Sequence, residues 1–221
     1  MARSALKVVE ANPFSVQEIE LWTKKKDHHS LHYGLSYPGC FAPELPHYFI
    51  QKFSRPGDVV LDPFCGSGVT ALEANLLGRT AFASDLSPLA MRIAGAKLSP
   101  SDITEVTLAL QLMNLSRPID LNAYSDKFKP FFDIGPFREL FNLRQLLLRS
   151  DEQIARFLEL VLMGIMHGHS ASFLSVYTFP QISISPTEQV KLNKKRGQLP
   201  DYRAVLPRIL RKTAALLRDG I

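Results

Sequence analysis

The strongest constraint on the fold is a strand, a glycine turn, a helix and a second strand, which follow one another between Val59 and Asp85. A short apolar run stops at Asp62 and turns through Gly66 and Gly68. A helix-forming segment comes next, and a second apolar run then ends at Asp85. Strands joined through a helix pair in parallel, and ligands bind beyond their carboxyl ends. The pattern therefore predicts buried parallel strands and a ligand site at the turn, where backbone N–H groups at the helix N-terminus are exposed.

The two acids narrow the class of ligand, because a Gly-x-Gly turn alone is weak evidence. Asp62 would repel a phosphate group and attract a cation. Asp85 stands where a carboxylate can accept both hydroxyls of a ribose, a charge-assisted interaction of roughly 1.5–3 kcal/mol. A cofactor with an amino acid, a sulfonium and a ribose satisfies both acids, whereas a dinucleotide satisfies only Asp85. Ala71 occupies the last glycine position of the dinucleotide pattern, which is a permitted variant.

Three segments in a fixed order extend this unit: Tyr37–Leu45, Asp62–Ala74 and Ala83–Ala90. Together they resemble the cofactor motifs of the DNA amino-methyltransferases, which modify cytosine-N4 or adenine-N6. The resemblance covers about residues 32–97. It implies S-adenosyl-L-methionine as the cofactor and DNA as the substrate.

The resemblance also assigns residues to the cofactor. Phe41 and its neighbours would wall the cofactor, Asp62 and the glycine turn would hold its amino-acid end, and Asp85 would hold its ribose. The full set of cofactor-binding residues expected in this way is Tyr37, Phe41, Asp62, Pro63, Phe64, Cys65, Gly66, Ser67, Gly68, Thr70, Asp85 and Leu86.

The catalytic motif of the family is missing from the chain. These enzymes engage the amine of a flipped base with an Asp/Asn/Ser-Pro-Pro-aromatic turn, and neither Thr178–Gln181 nor Ser185–Thr187 matches it. A Pro-Cys dipeptide, typical of cytosine-C5 methylation, is absent too. No catalytic residue is assigned. The chain is interpreted as the cofactor-binding part of a split restriction–modification methyltransferase, whose catalytic half is a second polypeptide or has been lost.

Basic residues are concentrated near the C-terminus. The net charge is +5, and the segment from Lys191 to Arg218 holds nine basic residues and one acid. Such a segment is either a solvated helix face or a polyanion contact, and the methyltransferase resemblance favours DNA. The predicted DNA-binding residues are Lys191, Lys194, Lys195, Arg196 and Arg203.

The expected fold class is α/β, a Rossmann-like S-adenosylmethionine-dependent methyltransferase fold with a partial parallel sheet and a helical C-terminal half. The sheet edge left open would be the interface for the partner. A capping box at Ser15 predicts a short helix to about Lys24, and another at Ser150 predicts a buried helix. Ser87 followed by Pro88 predicts the start of a helix that runs to about Leu98, and residues 182–200 are predicted as a mobile loop. The expected regions are 1–32 (helix and loop), 33–100 (cofactor-binding unit), 101–180 (helical) and 181–221 (basic loop and amphipathic helix).

Several classes of protein are disfavoured. No apolar run reaches about 18 residues, so we expect no membrane span, and the N-terminal segment lacks a signal-peptide pattern. Cys40 and Cys65 lack Cys-x-x-Cys spacing, which argues against disulfides and zinc and favours the cytoplasm. The histidines at 28, 29, 32, 167 and 169 are expected to be structural and not metal ligands, and Glu73 in the motif helix is also expected to be structural. Two rival functions stay open: an RNA or protein methyltransferase of the same fold, or a non-catalytic remnant that binds cofactor or DNA.

Overall fold

A computed structural model describes residues 8–11, 14–17, 28–149, 151–180 and 184–220. Short 3-10 helices occur at Ser30–Tyr33 and Leu121–Ala123. The other regular segments, in chain order, are β1 (Val8–Ala11), β2 (Phe14–Gln17), α1 (Glu44–Phe53), β3 (Val59–Asp62), α2 (Val69–Leu76), β4 (Thr80–Ala83), α3 (Pro88–Leu98), α4 (Ile103–Gln111), α5 (Ile134–Leu147), α6 (Glu152–Met166), α7 (Pro186–Arg196) and α8 (Val205–Leu216).

Strands β1 and β2 form an antiparallel pair in which Val8 lies opposite Gln17 and Ala11 opposite Phe14. The prediction of a helix starting at Ser15 is therefore wrong at its start. Valine and phenylalanine are residues that favour strands, and here they pair across the chain instead of forming a helical stripe. The remainder of that predicted helix, residues 18–24, lies outside the described residues.

The predicted strand–turn–helix–strand unit is present. Strands β3 and β4 pair in parallel, with Val59 opposite Thr80 and Asp62 opposite Ala83, and α2 packs against both. Helices α1 and α3 pack in turn on α2. This arrangement confirms the α/β class and places the ends of both strands, and the acids that follow them, on one side of the molecule.

The expectation that these strands are buried is wrong, because one face of the sheet is exposed and the other is only partly buried. Val59, Leu61 and Phe82 are 63%, 69% and 58% exposed. Successive side chains of a strand point to opposite faces, and α2 covers only the face of Val60 and Ala81. Within the described residues, this sheet consists of β3 and β4 alone.

The second half of the chain is helical, as expected, and contains most of the core. Helix α6 packs against α3, α4 and α8, and Phe157, Leu158 and Val161 on it are fully buried. The cap of α6 lies one residue later than predicted: Asp151 accepts hydrogen bonds from the N–H groups of Gln153 (2.9 Å) and Ile154 (3.4 Å). Ser150 lies outside the described residues.

The predicted loop over residues 182–200 is wrong, because α7 occupies most of it. Ser185 Oγ accepts from the N–H of Glu188 (3.2 Å), and the Glu188 carboxylate accepts from the N–H of Ser185 (2.8 Å), which completes a capping box. Among the described residues, no helix combines the length and the apolar character that crossing a membrane requires.

Candidate cofactor-binding site

The glycine turn between β3 and α2, residues Phe64–Gly68, lies at the carboxyl end of the parallel strands. Gly66 and Gly68 have φ of 50° and 76°, in the region that favours glycine. A Cβ on Gly68 would lie 2.8 Å from the Cβ of Ala94 in α3, so close packing also requires glycine there. A Cβ on Gly66 would have only Tyr37 nearby, at 3.7 Å. Gly66 is thus packed less tightly than Gly68, with Tyr37 as its neighbour.

Most backbone donors of this turn are already occupied by the protein. The turn was expected to expose its N–H groups to a ligand, and for four of them the expectation is wrong. The four hydrogen bonds run from Phe64 N to Asp62 Oδ1 (3.1 Å), Cys65 N to Ser84 O (3.0 Å), Gly66 N to Asp85 Oδ2 (2.9 Å) and Gly68 N to Cys65 O (2.8 Å).

The two acids predicted from the sequence flank the turn. Asp62 ends β3, and Asp85 follows β4, in which Ala83 is the partner of Asp62. The second Asp85 oxygen accepts from the N–H of Ser87 at 2.8 Å. Hydrogen bonds from the N–H groups of Ser87 and Gly66 lower the pKa of Asp85. Asp85 is therefore ionised at neutral pH and ties the two loops together, as well as standing where a ribose was expected.

Side chains around the turn differ in their exposure. Pro63 is exposed, and Phe64 and Leu86 are 82% and 97% exposed, so these apolar groups remain available to a ligand. Cys65 is buried, and burial together with the nearby carboxylates of Asp62 and Asp85 raises the pKa of its thiol. Both the burial of Cys65 and the raised pKa disfavour the thiolate form that a nucleophile needs.

The segment Tyr37–Leu45, called the companion loop below, lies against the glycine turn. Cys40 Sγ is 2.9 Å from Ser67 Oγ. Phe41 and Thr70, with residues of α1 and β3, line an apolar groove of about 460 Å³, whose lining includes neither acid. Tyr37 lies beside Gly66 of the turn, and Phe41 and Thr70 line this groove.

A buried carboxylate that was expected only to be structural anchors this region. Glu73, 7% exposed at its side chain, is 2.7 Å from His32 Nε2 and 2.7 Å from His47 Nδ1. Burial raises the pKa of Glu73, but hydrogen bonds from both histidines outweigh burial and lower it overall. Burial lowers the pKa of His32. The single acid in the apolar helix Val69–Leu76 was the sequence signal for this cluster.

The cluster does not amount to a metal centre. No group of three or more histidine, cysteine or acidic side chains within the described residues could hold a metal ion. His167 caps the end of α6, and its ring packs 5.1 Å from that of Phe131 and 5.2 Å from that of Phe132, whereas His169 is exposed. Burial lowers the pKa of His167 to about 4. Cys40 and Cys65 are both free thiols.

The predicted DNA-binding residues separate into two groups. Lys191, Lys194, Lys195 and Arg196 are exposed on α7, and the Arg196 guanidinium lies 3.8 Å above the ring of Tyr177.

Arg203, the fifth predicted residue, has an internal role. Its side chain is 13% exposed and pairs with Asp201 at 2.8 Å. It also donates hydrogen bonds to the carbonyl oxygens of Phe173 (3.1 Å) and Ser175. The sequence of a basic segment does not show which of its residues donate hydrogen bonds to buried carbonyl groups after folding.

Comparisons with known proteins agree with the geometry of the turn. Residues 4–95 match a family model described as DNA methylase. The type II methyltransferase M.MjaII of Methanocaldococcus jannaschii is 32% identical over 106 residues, 48% of this chain and 19% of that protein. The type II methyltransferase M.BsoBI of Geobacillus stearothermophilus is 35% identical over 81 residues, 34% of this chain and 16% of that protein.

A tRNA (guanine(10)-N2)-dimethyltransferase of Methanocaldococcus jannaschii is 31% identical over 77 residues, 34% of this chain and 21% of that protein. The matched part of the chain therefore spans about a fifth of each curated relative. No solved structure gives a significant match.

Proposed function

We propose that this chain is the cofactor-binding part of a DNA methyltransferase of the amino-methyltransferase family, because residues 4–95 match the DNA methylase family model and two type II methyltransferases are similar to it. The enzyme would move a methyl group from S-adenosyl-L-methionine to the exocyclic amine of cytosine or adenine. The observation that carries the proposal is the meeting of Asp62, the glycine turn, Asp85 and the companion loop at the ends of two parallel strands. A Rossmann-like fold for the complete enzyme is part of the proposal.

The cofactor roles follow from charge and position. Asp62 would attract the cationic amino-acid and sulfonium end, and Asp85 would accept the ribose hydroxyls with the lone pairs that its two backbone hydrogen bonds leave free. The exposed side chains of Phe64 and Leu86 would cover the apolar surface of the cofactor. Tyr37 would close the site from the companion loop. Both thiols are free, which supports the cytoplasm as the compartment.

A second polypeptide carrying the catalytic turn is also proposed. None of the 221 residues forms a Pro-Pro-aromatic motif, so the group that engages the target amine has to come from elsewhere. The exposed apolar side chains of Val59, Leu61 and Phe82 support this, because a layer of the partner packed on this face of β3 and β4 would cover them. We also propose that the enzyme belongs to a restriction–modification system.

DNA would be held by α7. Lys191, Lys194 and Lys195 present exposed charges on one helix, which suits the phosphate backbone and not base-specific contacts. The similarity to a tRNA methyltransferase favours one alternative, an RNA substrate for the same cofactor unit. A cofactor-binding remnant without catalysis is the other.

The cofactor proposal is tested by calorimetric titration of the purified chain with S-adenosyl-L-methionine. Asp85→Asn should weaken binding by about tenfold or more, because a charge-assisted hydrogen bond to the ribose is lost. Asp120→Asn is the matched control, since Asp120 makes the same type of local bond, to Asn122 N at 2.9 Å, in a different part of the fold. Equal affinity of the Asp85→Asn chain and the wild type would overturn the assigned role of Asp85.

The second-polypeptide proposal needs an activity measurement. The chain alone should not methylate duplex DNA, and adding a neighbouring gene product that contains the Pro-Pro-aromatic turn should produce activity. Methylation by the chain alone at a normal rate would refute this part of the proposal. A preference for structured RNA over duplex DNA in the same assay would favour the RNA alternative.

A further inference from the structure

Lys97 is a buried cation with no assigned role. It lies near the end of α3, is 1% exposed, and none of the described residues provides it with a hydrogen-bond or ion-pair partner. Lysine is almost never fully buried unless it is paired, and a buried ammonium without a counter-ion is costly to the folded state. A buried lysine without a partner is therefore a candidate for binding an anionic group of a ligand.

The position of Lys97 points to the glycine turn. Ala90, Ala94 and Lys97 share one face of α3, and Ala94 is the residue against which Gly68 packs, with 2.8 Å between its Cβ and a Cβ placed on the glycine. Long side chains on a helix lean back toward its N-terminus. This tendency, together with the electrostatic interaction between Lys97 and Cys40 of the companion loop, points the side chain of Lys97 toward the back of the glycine turn.

The other groups near Lys97 carry little compensating charge. Lys97 interacts electrostatically with the Cys40 thiol and with His32. Cys40 lies on the companion loop, 2.9 Å from Ser67 of the glycine turn. His32 bonds to Glu73, whose carboxylate is shared with His47. Burial lowers the pKa of Lys97 only to about 8, so most of the population is charged at neutral pH.

The cofactor proposal leaves one charge without a partner. The amino-acid end of S-adenosyl-L-methionine carries a cationic amine, which Asp62 can attract, and a carboxylate. The N–H groups of Phe64, Cys65, Gly66 and Gly68 are bonded within the protein, so the turn offers the carboxylate few donors. A positive charge behind the turn would meet this need.

We propose that Lys97 is the counter-ion of the cofactor's carboxylate, acting from behind the glycine turn. This inference rests on the proposed function and deepens it by assigning a binding residue that the motif pattern does not contain. The residue binds the cofactor and takes no part in methyl transfer.

The test compares two ligands that differ by the carboxylate: S-adenosyl-L-methionine and decarboxylated S-adenosylmethionine. Lys97→Met in the full chain should weaken binding of the first by about tenfold or more, since the attraction between the buried ammonium and the cofactor's carboxylate is lost. Binding of the decarboxylated ligand should change by less than about twofold. Arg92→Met is the matched control, because Arg92 lies on the same helix but is half-exposed and pairs with Glu159; it should leave both affinities unchanged.

Thermal unfolding separates this role from a structural one. Replacing an unpaired buried charge by an apolar side chain should keep or raise the Tm. A lower Tm with equal losses for both ligands would mean that Lys97 is structural, and would overturn the inference. If Lys97→Met does not fold, Lys97→Gln provides the same ligand comparison.

The failures of the two proposals can be told apart. A wild-type chain that binds both ligands, with a Lys97→Met chain that binds S-adenosyl-L-methionine equally well, overturns the role of Lys97 and leaves the proposed function intact. A folded wild-type chain that binds neither ligand overturns the cofactor proposal and the role of Lys97 with it.

Discussion

Glycine is required at positions 66 and 68 of the turn for different physical reasons, although the two residues look equivalent in the sequence. Gly66 and Gly68 share a positive φ, but only Gly68 lies directly against another helix, at Ala94. The motif spacing therefore combines a requirement of the backbone with a requirement of helix packing. The sequence pattern indicated the backbone requirement, but it could not indicate the contact between Gly68 and α3.

Gly68→Ala should be strongly destabilising. The left-handed conformation costs an L-residue about 1–2 kcal/mol, and the close approach to Ala94 should add about 1–3 kcal/mol. Gly197→Ala is the matched control, because Gly197 has φ of 59° and nothing within 4 Å of an added Cβ. Urea unfolding should show a distinctly larger loss for Gly68→Ala, and equal losses would refute the packing contribution.

His167 should make stability depend on pH. Burial lowers its pKa from 6.5 to about 4, so the unfolded chain binds the proton more readily. Its contribution is present in full above about pH 6.5 and is lost as the pH falls toward 4, by about 3 kcal/mol in total. The buried His32, whose pKa is also lowered, acts in the same direction.

The measurement is the free energy of unfolding of His167→Phe and wild type between pH 7 and pH 4. The phenylalanine keeps a ring against Phe131 and Phe132, and the variant should lose less stability over this range than the wild type. His169→Phe is the control at an exposed position. Identical pH profiles for His167→Phe and wild type would contradict the assignment.

Helix α7 shows how a helix can form without an apolar stripe. Only Gln189 on it is buried, and polar contacts hold it: Gln189 Nε2 donates to Tyr177 O at 2.9 Å and Asn193 Nδ2 to Pro130 O at 2.7 Å. Periodicity of apolar residues is the main sequence signal for a helix. That signal is missing here, which is why the segment was predicted to be a loop.

Ser185→Ala should loosen α7. Removal of the capping oxygen costs about 1 kcal/mol, and faster amide hydrogen exchange over residues 186–196 should follow. Thr187→Ala is the matched control, because Thr187 is exposed in the same first turn and is not the cap. If the two variants exchange at the same rates, the capping box does not stabilise this helix.

Across the molecule, the basic surface is smaller than the charge run indicated. Lys191, Lys194 and Lys195 are exposed on α7, whereas Arg203 is tied to the carbonyl groups of Phe173 and Ser175. The exposed lysines of α7 can therefore contact a polyanion, whereas Arg203 stabilises the folded chain from within.

The triple variant Lys191→Gln, Lys194→Gln, Lys195→Gln should bind duplex DNA with a salt dependence that is shallower by up to about 3 in log K against log salt. Arg203→Gln should lower stability instead, because it leaves buried carbonyl groups without donors. Binding to a labelled duplex at several salt concentrations is the measurement. A slope unchanged in the triple variant would return α7 to the solvated-face interpretation.

The linear sequence was sufficient for the features that depend on neighbours along the chain. Local spacing and backbone preference predicted the strand–turn–helix–strand unit, the helix cap at Ser87 and the positions of Asp62 and Asp85 at the strand ends, and the structure contains all three.

Features that depend on contacts between distant segments required the folded chain. These are the exposed face of Leu61 and Phe82, the capture of Arg203, the Glu73 cluster and the burial of Lys97. Burial and charge pairing are set by which helices pack together, and a local pattern does not contain that information.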